Sequence, residues 1–340
     1  MTNRNDWELA SAAMKLVRDV MLVKPGETVV ITADTGSTQE IVEATARAAR
    51  SLGALPIVVK QSLPPRAHME PPKPLAAAIK ASDVWIEYAF RPIFTTAAYE
   101  EAVAAGTRYL NVAKAQIDWF IRTIDLDYGK MIELGDRLSE LTDKANQVRV
   151  TNPAGTDLTG LNGGRKSHNH GLATKKGQAY MLGGQVGWCP MEETISGVIV
   201  FDGMVSYPEE LNRLSRPIEL RIREGIVTEI SGGREAEALR RWMDGFGDPN
   251  MRRLAHFTFG FNPGAKLSEY IVETERMYGV HVFGIGKQVK RIGGKGWNAP
   301  GHTDGIVMNP SVWFDGVLVE KDSRFVHPQL EGLDKALMGP

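Results

Sequence analysis

ETVVITAD (27–34), followed by TQEIVEATARAARSLG (38–53), is the stretch on which the fold turns. The first segment is a short apolar run rich in β-branched residues, which reads as a strand. The second places Ile41, Ala44, Ala48 and Leu52 at helical spacing. Thr38, Glu40 and Glu43 give this helix a polar start, and Gly53 gives it a stop. Working outward, three more candidate strands follow: ALPIVVK (54–60), VWIEYAF (84–90) and RYLNV (108–112). Helical patterns at 74–82 and 95–105 separate them, the second ending at Gly106. Strands alternating with helices predict a parallel sheet built through right-handed crossovers. The segment 117–145 reads as a longer helical stretch that leads out of this domain.

From about residue 146 the texture changes. VRVTNPAGTDLTG (148–160), GVIVFDG (197–203), IELRIREGIVTEISGG (218–233) and GIVMNPSVWFDGVLVE (305–320) are β-branched runs broken by Gly, Asn and Asp. That pattern predicts hairpin-rich antiparallel structure. Helical signals here are chiefly REAEALRRWMDGF (234–246) and KLSEYIVETERM (266–277). A chain of 340 residues exceeds what one core usually organises. The expectation is an α/β domain with a parallel sheet over 1–145, then a mainly antiparallel, β-rich α+β domain over 146–340.

Composition narrows the function classes. Formal net charge is -1 and no long Lys/Arg run occurs, which disfavours a nucleic-acid partner. No apolar stretch approaches the roughly 20 residues of a membrane-spanning helix. The N-terminal MTNRNDWELASAAMKLV has no continuous apolar region of the kind that marks a signal peptide. The single cysteine, Cys189, allows no intrachain disulfide and fits a cytoplasmic location. Although glycines number 35, none of them sits in a G-x-x-x-x-G-K-[ST] loop. GIGKQV (284–289) begins like G-x-G-x-x-G but carries Val289 in the third glycine position, far from the first strand-helix unit.

Chemistry centres on the seven histidines: His68, His168, His170, His256, His281, His302 and His327. In PGHTDGIVM (300–308), residues i and i+2 of a strand share a face, so His302 and Asp304 present imidazole and carboxylate side by side. An ordinary polar strand end is the competing reading. The pair follows a Gly-rich loop, IGGKGWNAPG (292–301), of the kind that lines sites. His256, in LAHFTFGFNPGAK (254–266), and His281, in YGVHVFGIG (278–286), each read either as a ligand or as a hydrogen-bonded core residue. His168 and His170, in RKSHNHG, lie in a polar setting where solvated histidines compete with a substrate-side role. Cys189 has no flanking pattern of a catalytic thiol, and no G-x-S-x-G, C-x-x-C or H-E-x-x-H occurs.

Taken in order, AGTDLTG (154–160), GQVGWCPMEETISG (184–197), LAHFTFGFNPGAK, YGVHVFGIG and GHTDGIVM (301–308) resemble the aminopeptidase T-like family, which also contains 2,5-dihydroxypyridine 5,6-dioxygenase. The resemblance covers nearly the whole chain and is carried by the order and spacing of blocks. Its peptidase branch holds two metals on a carboxylate-rich set. Here the first glutamate position of that set matches Gln185 and the second matches His256. Two divalent ions about 3.5–4 Å apart need anionic bridges, which neither an amide nor an imidazole supplies. The resemblance implies instead that His256, His302 and Asp304 form the facial triad of a non-haem Fe(II) oxygenase. His281 departs from the dioxygenase pattern and reads as an acid/base group, a fourth ligand or a relic.

The reading that results is an Fe(II)-dependent, extradiol-type ring-cleaving dioxygenase, its partners being O2 and a small hydroxylated aromatic such as 2,5-dihydroxypyridine. His168, His170 and His281 are its candidates for proton transfer. Arg91, at the end of the VWIEYAF strand, is its candidate anion anchor, with a surface ion pair as the bland alternative. Glu192 and Glu193 are expected to face solvent. Two rivals stand beside it: a Zn or Co aminopeptidase, and a metal-free binding protein that keeps the fold. The family resemblance further implies a homo-oligomer.

Overall fold

The computed structural model describes residues 5–338. The chain opens with α1 (Asp6–Lys15), which runs on as a π-helical turn over Leu16–Val20. Then come β1 (Thr28–Asp34), α2 (Gln39–Ser51), β2 (Leu55–Gln61), α3 (Lys73–Lys80) and β3 (Val84–Glu87). α4 (Ala97–Ala104), β4 (Arg108–Asn111), α5 (Ile117–Ile124) and α6 (Tyr128–Lys144) follow. The strand-rich part continues through β5 (Gln147–Thr151), β6 (Asp157–Leu161), β7 (His168–Asn169), β8 (Ala179–Met181), β9 (Gln185–Trp188) and β10 (Ser196–Phe201). Next are β11 (Met204–Val205), β12 (Asn212–Arg213), β13 (Ile218–Arg223), β14 (Ile226–Ser231), α7 (Arg234–Gly245) and β15 (Leu254–Gly260). The chain closes with α8 (Ile271–Thr274), β16 (Val280–Gly286), β17 (His302–Met308), β18 (Ser311–Phe314), β19 (Val317–Lys321), β20 (Arg324–Phe325) and α9 (Glu331–Met338).

The first compact unit comprises residues up to Tyr128 together with His170–Gly183. Its sheet is parallel throughout, in the order β2-β1-β3-β4-β8. β1 and β3 lie inside the sheet and are buried almost throughout, which is why they read as continuous apolar runs. β2 lies at the edge and alternates. Thr38 precedes α2 in an extended conformation, but its hydroxyl donates to the Ala115 carbonyl (2.7 Å) rather than capping the helix.

The second unit comprises Gly129–Asn169 and the chain from Gly184 onward. It holds two antiparallel sheets, ordered β14-β13-β10-β6-β5-β18-β19-β20 and β12-β11-β17-β16-β15-β9-β7. Tight turns join neighbouring strands: Glu224 and Gly225, both at positive φ, link β13 to β14.

Three expectations shift. The 117–145 stretch is two helices, broken over Asp125–Asp127, and only the second belongs with the antiparallel sheets. The contacts therefore divide the chain at Tyr128/Gly129 rather than at 145/146, and residues 170–183 return to the parallel sheet as β8. Residues 266–277 form only the single turn of α8, because side chains of that turn capture the preceding backbone. Lys266 N–H donates to Glu273 Oε1 and Ser268 N–H to Thr274 Oγ1, both at 3.0 Å.

Candidate metal centre

The centre is built on β15, β16 and β17. Register sets Gly284 of β16 opposite His256 on one side and Asp304 on the other, so the three residues lie in one row across the sheet. His302, two residues before Asp304, shares its face. A bulge makes this row. β15 pairs Leu254 with Ile285 and then His256 with Gly284, so Ala255 is the extra residue. Unbroken pairing would have set His256 opposite Phe283, on the other face. Gly284 is the second requirement, since a Cβ there would lie 2.2 Å from His256 Nε2.

Three donor atoms converge. His256 Nε2 lies 3.1 Å from Asp304 Oδ1, His302 Nε2 lies 3.2 Å from the same oxygen, and the two Nε2 atoms are 3.3 Å apart. With metal–ligand bonds of about 2.1 Å, donors at right angles stand about 3.0 Å apart and tetrahedral donors about 3.4 Å, so the spacing fits one ion. The outer ring nitrogens are engaged elsewhere. His302 Nδ1–H donates to the Lys287 carbonyl (2.8 Å), which leaves the Nε2 lone pair facing inward. His256 Nδ1 bonds Thr258 Oγ1 (3.0 Å). Among the described residues, these three form the one group of at least three His, Cys, Asp or Glu side chains close enough to share an ion.

Electrostatics agrees with the geometry. Burial pushes the Asp304 carboxyl up, but the His302 and His256 imidazoles outweigh it and hold the group far below the usual carboxylate range. Burial lowers the His302 imidazole, and Asp304 more than reverses this. With both imidazoles neutral, as metal ligation requires, the donor set carries one negative charge, and a divalent ion held there would keep a net positive charge that favours an anionic ligand.

His281 is not brought to this centre. It pairs with Phe259 and Val307, a register that turns it to the opposite face. There it is fully buried among Trp188, Phe257, Phe259 and Phe283, with ring centroids 4.9–5.9 Å away, and neither ring nitrogen has a hydrogen-bond partner. Burial, with a smaller contribution from His256, lowers its imidazole to about 3. A side chain on the far face of a sheet is neither a ligand nor an acid/base group for this centre, which corrects the expectation for His281.

His168, on β7, does share the face of the centre, since it pairs with Gly187, which pairs with Thr258. His170 and Arg91 belong to the first unit. His170 Nδ1 accepts from Met181 N–H (3.1 Å). Arg91 N–H donates to Asp34 Oδ2 (2.9 Å), and its guanidinium donates to the Pro65 carbonyl. Gln185 is buried, and its amide donates to the Glu275 carbonyl (3.0 Å), apart from the three donors. Glu192 overturns the solvent-facing expectation: it is 4% exposed and pairs with Arg165 at 2.6 Å. Burial raises its carboxyl, but Arg165 and the Lys295 amide outweigh this and bring it to about 2. Glu193 is exposed and pairs with Lys295.

Sequence reasoning did not single out Gly284, Gln288 or the Lys287 carbonyl. The one signal available was Gly284 inside an apolar strand, a mark of close approach.

A family model described as NicX, 2,5-dihydroxypyridine 5,6-dioxygenase, matches residues 11–327. A curated 2,5-dihydroxypyridine 5,6-dioxygenase from Pseudomonas putida strain KT2440 is 27% identical over 201 residues, which are 56% of this chain. The matched stretch spans 57% of that relative's length. Among solved structures, the chain is similar to 2,5-dihydroxypyridine dioxygenase from Pseudomonas putida KT2440, with a TM-score of 0.82 at 20% identity over 97% of this chain and 100% of that one. It is also similar to wild-type AmpT from Thermus thermophilus, with a TM-score of 0.70 at 17% identity over 95% of this chain and 100% of that one. At these identities the two structures establish a shared fold: a parallel sheet with helices, then mainly antiparallel sheets. With the family model running almost the length of the chain, the protein belongs to the NicX, 2,5-dihydroxypyridine 5,6-dioxygenase, family.

Proposed function

We propose that this protein is an Fe(II)-dependent, extradiol-type dioxygenase that opens the ring of 2,5-dihydroxypyridine or a closely related hydroxylated N-heteroaromatic. The observation that carries the reading is the convergence of His256 Nε2, His302 Nε2 and Asp304 Oδ1 within 3.1–3.3 Å of one another on one sheet face. Two histidines and one carboxylate are the ligand set that non-haem Fe(II) oxygenases use, and an iron held by these three residues would supply the redox chemistry toward substrate and O2. Thr258 and the Lys287 carbonyl fix the ring orientations of the two histidines. A divalent ion held at the centre would leave a net positive charge, which would favour a substrate bound through a deprotonated hydroxyl. His168, on the same face, is the proposed group for moving that proton. His170 and Arg91 are proposed as further substrate-side groups, Arg91 for an anionic oxygen.

The two-metal peptidase reading is disfavoured because the Gln185 amide is engaged by a backbone carbonyl and one three-donor group is present among the described residues. A cytoplasmic homo-oligomer without nucleic-acid or membrane partners belongs to the same proposal. The family resemblance supports the homo-oligomer, a net charge of -1 the lack of a nucleic-acid partner and a single buried cysteine the cytoplasmic location; among the described residues no helix is long and apolar enough to cross a membrane.

Anaerobic loading with Fe(II), metal analysis and an oxygen electrode test the reading. About one iron per chain is expected, with O2 uptake on 2,5-dihydroxypyridine, and both lost in His302→Ala and Asp304→Ala. Binding of two zinc or cobalt ions with release of amino acids from peptides would sink it. No metal in the wild type, with metal content and ligand binding both unchanged in the two variants, would favour a metal-free binding protein.

A further inference from the structure

Behind the centre lies a buried network that none of its three donors belongs to. Gln288 is 4% exposed, and its side-chain amide is saturated. Nε2 donates to Glu192 Oε1 (3.1 Å) and to the Ala255 carbonyl (3.0 Å) and also lies 2.9 Å from Cys189 Sγ, while Oε1 accepts from Gly296 N–H (2.7 Å). Glu192 is itself fixed by Arg165 (2.6 Å) and by Lys295 N–H (3.0 Å). Gly294 closes over the amide, where a Cβ would come within 2.3 Å of it.

Two of these contacts bear on the centre. Ala255 is the bulge residue whose insertion turns His256 onto the face of Asp304. Lys287, next to Gln288, gives the carbonyl that accepts from His302 Nδ1–H. Both imidazoles are thus steered by backbone that Gln288 holds in place.

We propose that Gln288, anchored by the Glu192–Arg165 ion pair, is a positioning residue for the metal centre: it pins the Ala255 bulge and the Lys287 carbonyl, and so sets the aim of His256 and His302. The inference rests on the metal-centre reading above. Loss of such an orienting partner typically weakens metal binding about 10-fold to 100-fold.

Co(II) titration of the full-length protein, followed by visible absorbance and calorimetry, tests it without any turnover assay. Wild type, Asp304→Ala and Gln288→Leu are compared. The expected result is tight binding by wild type, none by Asp304→Ala, and about 10-fold to 100-fold weaker binding by Gln288→Leu with an altered d–d spectrum. Should Gln288→Leu not fold, Gln288→Asn decides on the same readout, since it keeps the amide but withdraws it from Ala255 by one methylene. A Gln288 variant that melts earlier yet binds Co(II) with wild-type affinity and spectrum overturns the positioning role and leaves the metal centre standing. Absence of Co(II) binding by wild type overturns both.

Discussion

At the scale of single residues, Gly284 and His281, three positions apart on opposite faces of one strand, do opposite things. Gly284 leaves the space into which His256 reaches, and even a methyl group there collides with Nε2. Gly284→Ala is therefore expected to abolish metal binding while costing the apo protein about 1–3 kcal/mol, as overpacking does. Metal analysis and urea unfolding of the same preparation separate the two effects. His281 fills its aromatic cage as a neutral ring, held at about 3 by burial. Its folded value lies below the ordinary 6.5 or so of histidine, so its contribution to stability is complete above about pH 6.5 and declines as pH falls toward 3. The decline is up to about 1.4 kcal/mol per pH unit. His281→Leu is expected to flatten this acid limb, and denaturant unfolding at pH 4.5, 5.5 and 7 measures it; parallel pH profiles for the two proteins would show that the cage does not depress the imidazole.

Those residues also mark what could be read in advance. His302 and Asp304 were legible because a strand sets i and i+2 on one face whatever surrounds them. His281 misled because its face depends on the register with β15 and β17, and register is a property of paired strands. Glu192 misled because its ion-pair partner, Arg165, is remote in sequence.

At the scale of elements, apolar runs and turn residues gave the strands, and the parallel β1–β4 set followed from their alternation with helices. The failures came where side chains compete with the helix. Residues 266–277 have helical spacing, but Glu273 and Thr274 hold the preceding backbone in turns. The bulge at Ala255 was equally hidden, since nothing local in LAHF announces it. The β13–β14 hairpin shows how one turn residue supports a neighbour: Gly225 sits at φ 73°, and a Cβ there would lie 2.3 Å from the Glu192 carbonyl oxygen. Gly225→Ala is expected to lower stability by about 1–3 kcal/mol through strain at a positive φ. Equilibrium urea unfolding checks this, and a loss below about 0.5 kcal/mol would show that the turn relaxes freely.

At the scale of the whole molecule, the one thiol is a built-in reporter. Cys189 is fully buried, and burial reinforced by Glu192 pushes it well above the usual thiol range. Native protein is expected to resist a thiol-specific reagent and to release one reactive group per chain on unfolding. Labelling within seconds under native conditions would mean that this part of the second unit opens readily. The return of residues 170–183 to the first unit has a different kind of consequence, one of timing. A ribosome releases β4 long before β8, and in between it delivers strands that belong to other sheets. Until residue 181 emerges, the nascent parallel sheet ends on β4, whose residues Tyr109 and Leu110 are buried in the finished protein. A message truncated between the two strands would therefore yield a product with an open apolar edge, prone to pairing with the wrong chain.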